Sequence, residues 1–191
     1  VSKIIYTDVD ATVLDFNLHW EPWLREQGYD FPDDHLHRFN RLTLAFGISD
    51  EEESDVVHRY FACEHAYSVP AMKGAAEAMR SLHVCGWRFV AITACPNTAG
   101  IAQRRRNNLE AVLGVPFEEV IATGFVSKRA VLSSLEPSVW IEDNYDNALA
   151  GHELGFDTYL INHAYNADLP DAGMTRVNDW SEIVERLCTD A

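Results

Sequence analysis

Ile4-Ile5-Tyr6-Thr7-Asp8-Val9-Asp10-Ala11-Thr12-Val13-Leu14-Asp15 is a short apolar run that ends in two carboxylates one residue apart. Ile4 to Tyr6 read as a buried strand, because a parallel strand covered on both faces is continuously hydrophobic rather than alternating. Asp8 and Asp10 then emerge at its carboxyl end, where open α/β sheets keep their sites. Two acids this close repel unless a cation sits between them or one of them is protonated. The pair is therefore a metal site, an acid/base pair or a polar turn, since Asp is common in turns as well.

Beyond Asp15 the pattern turns helical. Leu18, Trp20, Trp23 and Leu24 share a face and Gly28 stops it. A second helix opens at Pro32-Asp33-Asp34 and carries Leu36, Phe39, Leu42 and Phe46. Ser49 with Glu52 resembles a capping box for a third helix that turns Val56, Val57, Tyr60 and Phe61 inward. Its acidic start, Asp50 to Glu53, reads as a first turn favoured by the helix dipole rather than as a metal site. The segment from Phe16 to Val69 is too patterned for a loop and reads as a helical insertion, or cap.

From Gly74 onward helix and strand alternate. Helices are expected over 75–83, 98–113, from Ser127 to before Pro137, over 147–154 and from about Asp179 to Leu187. Strands are expected over 87–92, 120–123, 139–141 and 158–161. The fold class is α/β: a doubly wound, Rossmann-like parallel sheet with a small helical cap after the first strand. The core comprises 1–15 and 70–191 and the cap 16–69. Right-handed crossovers bring the ends of the first, second and fourth strands together, with Asp8 and Asp10, Thr93, and Glu142-Asp143.

The 191 residues carry a formal net charge of −15, which argues against a nucleic-acid polymer as partner. An anionic substrate then needs a cation or local basic residues to offset that charge. Cys63, Cys85, Cys95 and Cys188 show no metal or disulfide spacing, so a reducing, cytoplasmic setting is expected. No leader, no membrane association and no oligomeric state are indicated.

Carboxylate pairs, a hydroxyl and a lysine at three strand ends and a helix start match phosphoryl transfer onto an aspartate. Mg²⁺ answers the problem of bringing an anion to an anion, being held by one or two carboxylates plus phosphate. Here the sequence resembles the haloacid-dehalogenase-like phosphohydrolases. Their Asp-x-Asp-x-Thr/Val motif stands as Asp8 to Thr12, the Thr or Ser of the next core strand as Thr93, the Lys as Lys128, and the acidic cluster as Glu142-Asp143 with Asp146 following. The resemblance implies that Asp8 is the nucleophile and a metal ligand. It makes Asp10 the general acid/base, with its carbonyl on the metal. Thr93 and Lys128 bind phosphate, Asp143 binds Mg²⁺, and Glu142 is a second ligand or lies just outside. Asp146 either orients metal-bound water or is a helix N-terminal charge. The family's Gly after the second Asp is Ala11 here, which is unstrained only if its φ is negative.

Asp15-Phe16 is similar in offset to an Asp-Phe pair of the 5′(3′)-deoxyribonucleotidase branch, where the Phe helps to form the base pocket. Phe16, with Phe39 and Phe46 opposite, is the expected wall for a nucleoside monophosphate; the same rings at helical spacing also suit the core of a small cap. Phosphoglycolate-like or sugar phosphates are the alternative substrates, and a non-catalytic binding protein the alternative class. Arg104-Arg105-Arg106 spread around their helix, so at least two of them are expected on a solvated surface.

Overall fold

The computed structural model describes residues 3–32, 34–35 and 42–188. Six strands form one sheet: β1 (Ile4–Thr7), β2 (Arg88–Thr93), β3 (Phe117–Ala122), β4 (Val139–Glu142), β5 (Asp157–Ile161) and β6 (Thr175–Val177). Their order is β3-β2-β1-β4-β5-β6, every pairing parallel. β1 is central, with Ile5 opposite Phe89 on one side and Val139 on the other. The sheet therefore reverses its winding at β1, and the ends of β1, β2 and β4 converge as expected. Ile5, Phe89, Ile141 and Leu82 pack in one layer of core, while Tyr6, Ile92, Trp140 and Leu132 fill the other.

Two strands depart from the sequence expectation, both at edges. β6 was not anticipated, because Thr-Arg-Val is short and carries a charge. β3 begins at Phe117 rather than Val120, and its early exposed residues are Glu118 and Glu119. Edge strands are blunted by charge, and that same charge hides their hydrophobic pattern.

Core helices α4 (Ala75–Val84), α5 (Ile101–Leu113), α6 (Lys128–Leu132), α7 (Tyr145–Glu153) and α8 (Trp180–Cys188) cover the sheet. Between β1 and α4 lie α1 (Phe16–Glu26), α2 (Leu42–Phe46), α3 (Asp50–Ala62) and a 3-10 turn, Glu64–Tyr67. Asp15 caps α1 by accepting from Leu18 N at 3.2 Å, and Ser49 caps α3 by accepting from Glu52 N at 3.1 Å. Trp20, Leu24, Val56, Tyr60 and Phe61 form a cluster that Cys95 and Ile101 of the core join. The expected start at Pro32-Asp33-Asp34 lies partly outside the described residues, as do Leu36 and Phe39.

The chain leaves and re-enters the core side by side. Asp15 N donates to Pro70 O at 2.8 Å, Met72 N donates to Val13 O at 2.8 Å, and Leu14 bridges Ala71 antiparallel. Beyond this ribbon, His19 and His65 stack with ring centroids 3.9 Å apart. Each Nε2 donates to the other's carbonyl at 2.9 Å, and burial keeps His19 below its usual pKa.

The cysteine expectation is corrected in part. Cys85 and Cys188 are disulfide-bonded, with Cα atoms 6.0 Å apart, joining the ends of α4 and α8; Cys63 and Cys95 are free. This removes the cysteine argument for a reducing compartment. Among the described residues, no helix is long and apolar enough to cross a membrane.

Ala11 has φ of 59°, so it adopts the left-handed region that glycine takes without cost. His163 Nε2 donates to its carbonyl at 2.8 Å and Trp180 Nε1 donates to Thr12 O at 2.8 Å, which hold the loop in that shape. Ala11→Gly relieves a strain of order ~1 kcal/mol, less the added freedom of the unfolded chain. A urea titration should place the variant at or up to about 1 kcal/mol above the parent; a clear loss would contradict the strained reading.

Candidate active site

β1 delivers Asp8 to the floor of a cavity of about 250 Å³. That lies just below the usual range for small-molecule pockets. Asp8 is nearly buried, and its Oδ1 accepts from Lys128 Nζ at 2.5 Å. Lys128 comes from the first turn of α6, whose N-cap is Ser127. The same ammonium donates to Glu142 Oε2 at 2.9 Å, from the end of β4. Glu142 Oε1 in turn accepts from Asn144 N at 3.0 Å. Both of its oxygens are thus engaged, which makes Glu142 an anchor for the lysine.

Asp143 lies beside Asp8. Thr12 Oγ1 donates to Asp143 Oδ1 at 3.0 Å, and the Tyr165 hydroxyl donates to the other oxygen. Carboxylate oxygens of Asp8, Glu142 and Asp143 fall within 4.8 Å of one another. Burial and the neighbouring Asp8 push the Asp143 pKa up to about 7, and burial raises Glu142 well above the usual carboxylate range. Burial pulls Lys128 down, but Asp8 and Glu142 pull it up harder, so it stays charged. Burial also raises Asp10, against the pull of Arg105. With Asp10 included, carboxylates outnumber the two buried cations, Lys128 and Arg105. An all-oxygen cluster with excess negative charge fits a hard divalent cation.

Thr93 ends β2 fully buried, and among the described residues its Oγ1 makes no hydrogen bond. The adjacent Ala94 lines the cavity, whereas Thr93 itself does not. Thr123 N donates to Thr93 O at 2.9 Å and Gly124 N to Cys95 O at 3.0 Å, tying the loops after β2 and β3 together. Gly124 is required there: its φ is +63°, and a Cβ would sit 2.8 Å from the Asn97 side chain.

The structure thus brings Asp8, Asp10, Lys128, Glu142 and Asp143 into one cavity wall, with Thr93 just behind it. Asp146 is exposed in the first turn of α7 and takes no part in the cavity. Of the expected aromatic wall, Phe16 lines the cavity, packed on Trp20 with ring centroids 5.2 Å apart. Phe46 is withdrawn from that wall: its ring meets Tyr29 and Phe31 at 5.2 and 5.0 Å, inside the inserted segment. Phe39 lies outside the described residues.

Sequence reading missed Tyr165, Phe125 and Arg105. Tyr165 follows β5 in a loop with no pattern to mark it. Phe125 lines the cavity with a φ of 66° and meets His58 of α3 edge-on at 5.5 Å. Arg105 carried a signal, because it falls on the same face of α5 as Ile101, Leu109 and Leu113. A charge on an apolar face is buried with a partner. Arg104 and Arg106 are half-buried and pair with Glu64 and Glu110.

No family model matches the sequence. A curated nucleotidase of Clostridium acetobutylicum is 34% identical over 76 residues, 38% of this chain and 40% of that protein. The match thus spans well under half the length of that relative. A predicted phosphatase from Clostridium acetobutylicum superposes with a TM-score of 0.71 at 16% identity, covering 98% of each chain. CbbY from Rhodobacter sphaeroides, in complex with phosphate, superposes at 0.66 with 16% identity over 96% of each chain. The HAD-hydrolase YfnB of Bacillus subtilis, bound to magnesium, superposes at 0.61 with 15% identity over 97% of this chain and 98% of its own. The fold is that of the haloacid-dehalogenase-like hydrolases.

The raised Asp143 pKa has a sign that can be read in solution. An unfolded Asp titrates near ~3.9, whereas the folded carboxyl holds its proton to about pH 7. Its stabilising contribution is therefore complete below the unfolded value and is lost as the pH rises through the folded one. In the presence of a chelator, the urea midpoint of the parent should fall across that window more steeply than that of Asp143→Asn. Equal slopes would mean that Asp143 does not share its burial with Asp8 as described.

Proposed function

We propose that the chain is a divalent-metal-dependent phosphohydrolase that cleaves a small phosphomonoester through an aspartyl phosphate. In this reading 1–15 and 70–191 are the catalytic core and 16–69 is the cap. The observation that carries it is the buried Asp8, paired with Lys128 and set beside Asp143 on the wall of one cavity.

Asp8 is paired with the Lys128 ammonium through Oδ1 and serves as the nucleophile. One of its oxygens attacks phosphorus, the ester P–O bond breaks, and the leaving oxygen takes a proton from Asp10. Water then attacks the acyl phosphate and gives a proton to Asp10. The phosphate leaves, and Asp8 and Asp10 return to their starting states. Lys128 spends two donors on Asp8 and Glu142 and keeps its third for a phosphoryl oxygen, as Thr93 does with its hydroxyl. Asp8, Asp143 and the Asp10 carbonyl would hold Mg²⁺. Bound there, it would offset the charge of the phosphoryl oxygens against that of the carboxylates. Positioning and charge neutralisation supply most of such catalysis.

A nucleoside monophosphate is the substrate this reading favours. Support comes from the similarity to a nucleotidase over part of the chain, and from Phe16 with Trp20 and Phe61 on the cavity wall. Phosphoglycolate-like and sugar phosphates are the runner-up. A binding protein without turnover is disfavoured by the intact set Asp8, Asp10, Thr93, Lys128 and Asp143.

Release of phosphate from a panel of nucleotides, sugar phosphates and small phosphoacids tests the proposal. Activity should vanish with a chelator and return with Mg²⁺. Asp8→Asn should fold and fall to background, since the uncatalysed reaction is among the slowest known. Turnover by Asp8→Asn, or by the metal-free protein, would sink the mechanism.

Phe16 separates the substrate classes. A lost base stack is worth about 1–3 kcal/mol, so Phe16→Ala should raise KM for a nucleoside monophosphate about tenfold to a hundredfold. A small phosphate ester without a base should be hydrolysed much as before. Parallel losses on both substrates, with a lower melting temperature, would mark Phe16 as packing for Trp20 and Tyr60 only.

A further inference from the structure

Arg105 is fully buried, yet none of the roles above uses it. Its guanidinium meets three groups. Nη2 donates to Asp10 Oδ1, Nη1 donates to Ala66 O at 3.4 Å, and the guanidinium carbon stands 5.5 Å from the Phe61 ring centroid. Ala66 and Phe61 belong to the end of the cap and its return to the core. The flanking residues of α5 hold the same return. Arg104 pairs with Glu64 at 2.6 Å and lies 3.6 Å over the Tyr67 ring, and Asn108 Nδ2 donates to Val69 O at 3.0 Å. The helix thus grips 64–69 at several points. Among the described residues, Arg105 extends that grip to Asp10. The Asp10 side chain stays 22% exposed and lines the cavity.

We propose that Arg105 is a positioning residue: it holds one oxygen of Asp10, leaves the other toward the cavity, and makes that placement depend on the seating of the cap's return segment. The inference rests on the reading of the chain as a phosphohydrolase with Asp10 as acid and base. Arg105 exchanges no proton in it. The proton on the free oxygen of Asp10 passes to the ester oxygen as the P–O bond breaks, and the water of the second step replaces it. A guanidinium is suited to the task because its planar fork makes directed bonds to two partners at once. A lysine keeps the charge but cannot span both Asp10 and Ala66 in the same way.

The leaving group tells positioning from mere stapling of the cap. A dinitrophenyl phosphate releases a phenolate that departs without a proton, whereas an alkyl phosphate must be protonated as it leaves. General acids contribute typically ~10²–10⁴-fold. Arg105→Met should therefore lose at least about a hundredfold in kcat on the alkyl ester. The burst of phenolate from the aryl ester, which reports the first step alone, should fall at least tenfold less. Arg105→Lys should recover part of the alkyl activity. A structural role predicts equal losses on both esters, and that result in either variant overturns the inference while leaving the phosphohydrolase reading intact. Undiminished alkyl activity in Arg105→Met overturns it too. A parent chain that releases phosphate from neither ester removes the underlying reading and this inference together. Should the methionine variant fail to fold, the lysine variant decides alone: a larger loss on the alkyl ester supports positioning, and equal losses reject it.

Discussion

One ammonium group holds the carboxyl-terminal ends of the central strands together. Lys128 Nζ bonds Asp8 and Glu142 at once, from a helix that begins beside two strand ends. Burying an ion costs several kcal/mol even after relaxation, and mutual attraction offsets this only when the geometry is good. The surroundings meet that condition. Glu142 is fixed by the Asn144 amide, Asp143 by Thr12 and Tyr165, and the Asp143 carbonyl by Asn166 Nδ2 at 2.7 Å. The cluster still carries more negative than positive charge. Burial first, and the neighbouring Asp8 after it, raise the pKa values of Glu142 and Asp143. Carboxylate oxygens of Asp8, Glu142 and Asp143 within 4.8 Å of one another are a grouping that could hold a metal ion.

The frame around the cluster follows from topology. A central β1 flanked by β2 and β4 puts Asp8, Thr93 and Glu142 at one edge because parallel strands share a direction. That much was legible, since each strand ended where an apolar run met a polar residue. β6 and the start of β3 were not legible, because charged edge residues break the pattern that marks buried strands. The loop geometry was also hidden. Ala11 stands in a left-handed conformation that its side chain does not favour, and what holds it there is His163 from beyond β5. No local sequence rule links those two positions.

The same distinction runs through the candidate residues. That Asp8, Asp10, Lys128 and Asp143 meet was legible, because each stands at or just beyond a strand end or at a helix start, and all four line one cavity. Phe16 lines the cavity, whereas Phe46 turns toward Tyr29 and Phe31. Periodicity says that a ring faces inward, and not which of two interiors it faces. Arg105 was the opposite case. It sat in a run of three arginines that suggested a solvated surface, while the apolar face of α5 around it pointed inward. Its partner, Asp10, is 95 positions away along the chain.

The ribbon through which the chain leaves and re-enters the core also governs motion. Val13 to Asp15 and Pro70 to Met72 are cross-linked by backbone hydrogen bonds. Stretching or shearing the two passages would break those bonds, whereas twisting them as a pair would not. That leaves twisting about the ribbon as the displacement it resists least, and α5 opposes such a twist further along, where Arg104, Arg105 and Asn108 hold Glu64, Ala66 and Val69. Asp10 and Ala11 stand a few residues before the ribbon begins at Val13. A twist is therefore felt at two places at once: at Asp10, through Arg105, and on the cavity wall, where Phe125 meets His58 of α3.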